Sequence, residues 1–550
     1  MNNKCDLKNK PKSAKKLFFS GVLVLTFANF LVKAVGLVSK IALNRVVGSI
    51  GAGYYSSAYE IYAYLYVIST AGLPVALSIM IAKSRSKGRL LETKKIFDIA
   101  IILFLIIGFA FSIIMIAFSK QLALLIGAPE TALCIVAIAP TMLFICLSSC
   151  MRGYFQGYQL MAPTAISQFI EAISKVLIGV SLAIWTKSKG CDDNVVASFT
   201  ILGVTIGVLL GMIFLYLRKA FFKEERFFIS EAIQNEKRST KEIIKEMLAI
   251  AIPVTISSSV LSLTTILDTL MVQNRLVVYG MNEISVRIYY GDYTSLVISM
   301  FNLPTIILYP IANALVPMIT AAYERKDVEA QRRMMSLSLR FIVIIALPCA
   351  MGLGVFSKQI LSLLMFRAES VERAAPWLSV ASVSVLFLGI IAITNAFLNS
   401  QGKQRLPIIS MIAGATVKLI SNYILLAKIG VMGAPISTAL CYLVASSFNI
   451  IFVVKYVGNL PGIFKSVILP LLSSVSSIGA AAFLCKFLSV LVPNSISTIA
   501  SILFAVLLYS VLILRTRTVE ENELALIFNN KKLLKLLKKL KILPSKSKNV

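Results

Sequence analysis

A chain of 550 residues with 58% hydrophobic residues, only 15% charged residues and a mean hydropathy of +0.84 is too apolar for a soluble globular protein, in which about 25% of residues are charged. The net charge of +30 comes without a single histidine, which excludes histidine catalysis and most zinc sites. Long apolar segments of about 20 residues, in place of alternating strands of ~10, point to a helical membrane protein and exclude a β-barrel.

Residues 1–16 hold six lysines and read as a basic cytoplasmic N-terminus. The apolar run 17–47 follows this basic lead as a signal peptide would. It is far longer than the ~7–15 residues of a signal h-region, so it reads as a retained helix. Thirteen more spans are predicted at 54–82, 96–118, 121–150, 163–185, 195–217, 247–272, 293–322, 337–357, 376–399, 407–427, 433–454, 466–489 and 494–514. The even total of fourteen puts both termini on one side. Of the 55 Lys and Arg, 40 fall in segments that are cytoplasmic if the N-terminus is, which supports that orientation. The positive charge then faces the anionic lipids of the inner leaflet and needs no nucleic acid to explain it. Within the basic tail 515–550, "NNKKLLKLLKKLKILPSKSK" (529–548) has the pattern of an amphipathic helix lying on that surface.

The spans repeat. "NRVVG" (44–48) ends the first span and "NRLVVYG" (274–280) ends the seventh. Pro74 in "AGLPVAL" has a counterpart in Pro317 of "ANALVPM". "FQGYQLMAPTAISQFIEAISK" (155–175) is echoed by "NSQGKQRLPIISMIAGATVK" (399–418), which pairs Lys175 with Lys418. Two six-helix lobes of like orientation follow, at 17–217 and 247–454, joined by the charged linker 218–246 and followed by an extra helix pair, 466–514. Parallel repeats of this kind usually enclose a central cavity between two bundles. The Gly and Pro of "AGLP" (71–74), with Pro304, Pro310 and Pro317, are candidate flexing points.

Charges inside the spans locate a candidate site. On the first helix Asn29, Lys33, Gly36, Lys40 and Asn44 fall in a stripe roughly 80° wide, with the two lysines about 10 Å apart along the axis. A lysine at the middle of a membrane helix costs roughly 2.5–3.5 kcal/mol, so it requires water or a polar partner. Basic groups within spans are Lys33, Lys40, Arg45, Lys175 and Lys418; the carboxylates are Glu60, Glu171 and Asp268. Glu171 and Lys175, four residues apart, are expected to neutralise each other. The remaining excess is positive, so the cavity should favour an anion, and a pyrophosphate suits cations at this spacing. The tyrosines of "YYSSAYEIYAYLY" read as an interfacial belt.

Enzymatic chemistry finds little to carry it. The chain has no G-x-x-x-x-G-K-[ST] phosphate loop, its eight cysteines form no metal or disulfide framework, and no carboxylate pair or large polar domain supports a glycosyltransferase. No metal or cofactor is expected, and transport remains.

The strings "LVKAVGLVSKIALNRVVGSIGAGYYSSAYEIYAYLYVISTAGLPVALS" and "RGYFQGYQLMAPTAISQFIEAISKV" make the chain resemble the polysaccharide-transporter, stage V sporulation protein B-like branch of the multidrug/oligosaccharidyl-lipid/polysaccharide (MOP) exporter superfamily, similar to Gram-positive lipid II flippases. The resemblance covers residues 17–514 and implies fourteen helices in two lobes around a cationic cavity. It also implies flipping of undecaprenyl-pyrophosphate-linked sugars in the bacterial cytoplasmic membrane. Matched position by position, Lys33 and Arg45 fall on basic positions of the first helix, and Gln168, Glu171 and Lys175 on the polar face of the fifth, with Arg152 at the start of the preceding loop. Two departures stand out: lysine replaces the commoner arginine at position 33, and the second repeat lacks a lysine equivalent to Lys33.

The expected protein is therefore an all-α polytopic transporter that moves a lipid-linked oligosaccharide pyrophosphate by alternating access, with cell-wall synthesis proteins as possible partners. The expected substrate-facing residues are Lys33, Lys40, Arg45, Arg152, Gln168, Glu171, Lys175, Asp268, Arg275 and Lys418. The rival readings are a cation-coupled multidrug exporter of the same superfamily, which would want unpaired carboxylates, and a non-transporting scaffold for envelope assembly.

Overall fold

The computed structural model of the protein describes residues 31–221 other than 33, 34 and 37, then 238–364, 367–459, 464–516 and 518. Lys33, the N-terminal segment 1–16, the helix expected at 529–548 and most of the linker 218–246 lie outside the described residues. The described chain is helical throughout, without a strand. It divides into two compact units, one ending at Ser295 and one beginning at Leu296.

In the first unit, α1 (38–46) leads into α2 (Gly48–Thr70), α3 (Leu73–Ser86), α4 (Leu90–Ala117) and the short α5 (Ser119–Leu125) and α6 (Ala132–Ile138). There follow α7 (Thr141–Gly157), α8 (Ala162–Ser188), α9 (Asp193–Ala220), α10 (Thr240–Val278) and α11 (Glu283–Asp292). The α2–α3 break falls at the "AGLP" predicted as a flexing point. Pro74 enters the first turn of α3, where a missing N–H costs no hydrogen bond, and Thr70 Oγ1 donates to the Tyr66 carbonyl at 2.6 Å. Helices α10 and α11, which follow the linker, pack against α2.

In the second unit a π-helical turn, Tyr293–Ile298, at its border precedes α12 (Ser299–Phe301), α13 (Thr305–Glu324), α14 (Val328–Val355) and α15 (Ser357–Leu363). Then come α16 (Ala368–Ala381), α17 (Ser384–Ser400), α18 (Arg405–Ile429), α19 (Gly433–Val457), α20 (Leu469–Leu491) and α21 (Asn494–Arg515). Helix α13 runs unbroken past Pro310 and Pro317, so the break at Pro74 has no equivalent at its expected repeat partner.

Nine helices among the described residues are long and apolar enough to cross a membrane, or ten if the pair α16–α17, bent by 43°, forms one span. One of the nine is a 53-residue apolar run, Arg405–Val457. Straight, it would reach about 80 Å, far beyond a bilayer. It folds instead at Gly430, whose φ of 61° favours glycine, into the hairpin of α18 and α19. Apolar side chains such as Ile102, Phe109 and Leu507 point outward, as bilayer-facing residues do.

Small residues set the tightest packing. Helices α8 and α9 meet at Gly179 and Gly203, whose backbones approach too closely for a side chain between them. About two turns along the same seam, Gly211 leaves the space that the Glu171 side chain occupies.

Candidate functional site

Charged side chains expected at the site converge within the first unit. Lys40 on α1 holds its Nζ 5.9 Å from the ring centre of Tyr55 on α2. Lys175 on α8 lies 6.0 Å from the same ring and 4.4 Å from that of Tyr59. Two ammonium groups thus approach one aromatic ring, which attracts a cation through its quadrupole without cancelling its charge. Among the described residues neither lysine forms an ion pair with a carboxylate. A narrow crevice lined by Ser39, Tyr55, Lys175 and Thr200 opens beside them.

Glu60 follows Tyr59 on α2, and the charges that act on it are those of Lys40, Asp268 and Lys175. Asp268 is buried on α10. That helix is fixed to α2 by the Gln273 amide, which donates to Ser57 Oγ at 2.8 Å, and to α11 by the Tyr290 hydroxyl, 3.0 Å from Thr269 Oγ1. Helix α11 is locked to α2 in turn by Ser49 Oγ, which donates to Asp292 at 2.7 Å, while its buried Arg287 pairs with Glu130 in the turn before α6.

Two expectations are corrected here. Glu171 does not neutralise Lys175; it pairs with Arg152, whose Nε also donates to Ser167 Oγ at 3.2 Å. Arg152 does not begin a loop either. It is buried inside α7, because that helix continues to Gly157 and carries the guanidinium against the polar face of α8. The planar guanidinium satisfies both the carboxylate and the hydroxyl through separate N–H groups, and Lys175 is left to the tyrosines.

Gln168, on the same face of α8, has its buried Oε1 without a hydrogen-bond partner among the described residues. Arg45 is exposed at the end of α1, and Arg275 sits in the last turn of α10. Lys418 lies in the second unit, buried on α18, which packs on α19. The tyrosines missed as site residues carry a signal in their spacing. Tyr55, Tyr59, Tyr62 and Tyr66 recur every three or four positions, so their rings form one ladder with centres about 6 Å apart at 6.0, 5.8 and 6.1 Å. Tyr55 and Tyr62 are buried, which an interfacial belt would not require.

The described chain is thus an all-α, multi-pass membrane protein with two ammonium groups beside tyrosine rings, and its family follows from comparison with known proteins. Residues 18–323, more than half of the chain, match the polysaccharide biosynthesis protein family, and the chain belongs to that family; residues 253–424 also match the MatE family. Stage V sporulation protein B of Bacillus subtilis (strain 168) is 24% identical over 428 residues, covering 77% of this chain and 81% of that protein. Lipid II flippase MurJ of the same strain is 22% identical over 454 residues, covering 80% and 82%. Among solved structures, a lipid II flippase MurJ in an inward closed conformation superposes with a TM-score of 0.68 at 17% identity, over 89% of this chain and 98% of that one. A multidrug resistance MATE family transporter in an inward-facing conformation gives a TM-score of 0.64 at 17% identity, over 78% and 94%.

Proposed function

We propose that this transporter flips an undecaprenyl-pyrophosphate-linked sugar, lipid II or a related cell-wall or polysaccharide precursor, across the bacterial cytoplasmic membrane by alternating access. The observation that carries the reading is the pair Lys40 and Lys175, held on Tyr55 with their positive charge uncancelled by an ion pair. A pyrophosphate presents acceptor oxygens to both ammonium groups, and each charge-assisted hydrogen bond contributes roughly 1.5–3 kcal/mol. Lys33 lies outside the described residues, and as a member of the polar stripe read from the sequence it would extend the cationic path. Glu171 and Gln168 line the adjoining face of α8, with Arg152 of α7 paired to Glu171, and the prenyl tail stays in lipid. The relationship to a lipid II flippase over four-fifths of the chain supports the same cargo.

The test is a strain depleted of its own lipid II flippase, in which exposure of lipid-linked precursor on the outer surface is measured while this chain is supplied. Restoration by the wild type and loss with Lys40→Gln plus Lys175→Gln, at equal protein level, is the expected result. Full restoration by the double variant would remove these lysines from the substrate path.

A second reading, cation-coupled drug export, has one observation in its favour: Glu60 and the buried Asp268 act on each other beside the lysines, as a cation site would require. It predicts drug hypersensitivity without the chain and no effect on precursor exposure.

A further inference from the structure

Away from the lysine–tyrosine cluster, the second unit holds a cavity of about 490 Å³ where the α14–α15 junction meets the turn between α20 and α21. Its walls include Lys358, Gln359, Lys486, Ser489, Asn494 and Thr498, and no acidic side chain. Lys358 contacts Glu372 at 2.6 Å, but both partners are largely exposed, so water screens the pair and the lysine stays available. Among the described residues Lys486 has no ion-pair partner. Helix α21 starts at the rim with no side-chain cap on its first-turn N–H groups, which adds positive potential to the two ammonium groups and the amides of Gln359 and Asn494.

The flank of this cavity is apolar and bare. Phe487, the neighbour of Lys486, is 61% exposed and Val490 is 84% exposed, on a helix that runs through the bilayer. A ligand that satisfies both surfaces carries an anionic head and apolar chains on one molecule. A free anion would satisfy only the first.

We propose that this cavity binds the phosphate of an anionic phospholipid, whose acyl chains lie along α20 and α21. The site is independent of the flippase reading, since it shares no residue with the lysine–tyrosine cluster. The phosphodiester sits between Lys358 and Lys486, and the glycerol headgroup hydrogen-bonds to Gln359 and Asn494.

The experiment uses the full chain purified in detergent and titrated with dioleoylphosphatidylglycerol, dioleoylphosphatidylcholine or inorganic phosphate. Binding is read by native mass spectrometry, and hydrogen exchange locates it. Phosphatidylglycerol is expected to protect 356–363 and 486–498. Lys486→Gln should weaken that binding about fivefold, and Lys358→Gln added to it about fivefold again, from the usual contribution of one basic residue near an anionic lipid surface. Lys486→Arg should keep it and shows that loss in the glutamine variant is a loss of charge. Equal protection by phosphatidylcholine, protection untouched by Lys486→Gln, or equal protection by phosphate alone would overturn the proposal, the last by assigning the cavity to a free anion.

Discussion

Lys175 Nζ on α8 stands 4.4 Å from the ring centre of Tyr59 on α2, on the side chain next to Glu60 in sequence. The ring holds the ammonium in place by an attraction of ~0.5–2 kcal/mol yet leaves its charge available to an incoming anion, which a carboxylate would not. Tyr59→Phe keeps the quadrupole and should keep transport. Tyr59→Leu removes it and should lower precursor flipping between about twofold and thirtyfold, the range that follows from that energy. Lys175→Gln should fall further than Tyr59→Leu. Flipping rates at matched expression check the order, and a Tyr59→Leu variant as active as the wild type would show that the ring contact is packing alone.

The two buried arginines of the first unit should respond differently to removal. In both ion pairs the guanidinium is buried, but the side chain of Glu171 is 15% exposed whereas that of Glu130 is 39% exposed. Arg152→Ala therefore strands a carboxylate away from water, at a cost of about 3–5 kcal/mol. Arg287→Ala leaves Glu130 free to hydrate, and the loss should stay near the ~1.5–3 kcal/mol of a hydrogen bond to a charged group. Replacing Arg152 and Glu171 together by Met and Leu should recover most of the stability lost in Arg152→Ala. Unfolding midpoints of the three variants and the wild type in one detergent give the comparison, and equal losses for the two arginines would contradict the burial argument.

Much of this fold could be read from the sequence wherever the signal was local. The expected spans 163–185, 195–217 and 494–514 match α8, α9 and α21 within a few residues, and Gly72 with Pro74 marks the α2–α3 break. What escaped depends on neighbours across helices. Glu171 and Lys175 sit at the spacing of an ion pair on one helix, and only the packing of α7 on α8 shows that Arg152 takes the carboxylate. The tyrosine ladder has the composition of a headgroup belt; its inward direction is set by the lysines on α1 and α8 that it meets. Ser49 and Asp292, likewise, become partners only because α11 lies against α2.

The α8–α9 seam links packing to the site. A methyl group on Gly203 would lie 2.5 Å from the Gly179 backbone and 3.0 Å from the carbonyl of Lys175. Backbone cannot yield as a flexible side chain can, so the helices must separate, at the ~1–3 kcal/mol typical of overpacking. Gly203→Ala should thus reduce flipping while Lys175 itself is intact, because the turn that carries it moves. Gly190→Ala, whose added methyl meets nothing within 4 Å although its φ of 73° is strained, serves as a control that perturbs stability without displacing Lys175. Transport activity per folded molecule separates the two, and an unimpaired Gly203→Ala would show the seam to be more compliant than its geometry implies.

A cluster outside the membrane spans gives the chain a pH-dependent component of stability. Glu246, at the start of α10, accepts from Lys83 at 2.9 Å and from Arg238, and these donors hold its carboxyl below the usual value of 4.5. Arg238 also reaches Glu92 of α4 at 3.1 Å, so the network ties α10 to the ends of α3 and α4. In the unfolded chain Glu246 takes up its proton near pH 4.5, and in the folded chain only at lower pH. The stabilisation is therefore complete above pH 4.5 and is lost as the pH falls below it. The pairs are partly exposed, so the amount is about 1 kcal/mol and should shrink in high salt. Glu246→Gln should lower the unfolding midpoint at pH 7 and flatten its decline between pH 4.5 and the acid limit of the folded state. Unfolding followed by scanning fluorimetry across that range checks both effects. A variant with the same acid slope as the wild type would assign the decline to other carboxylates.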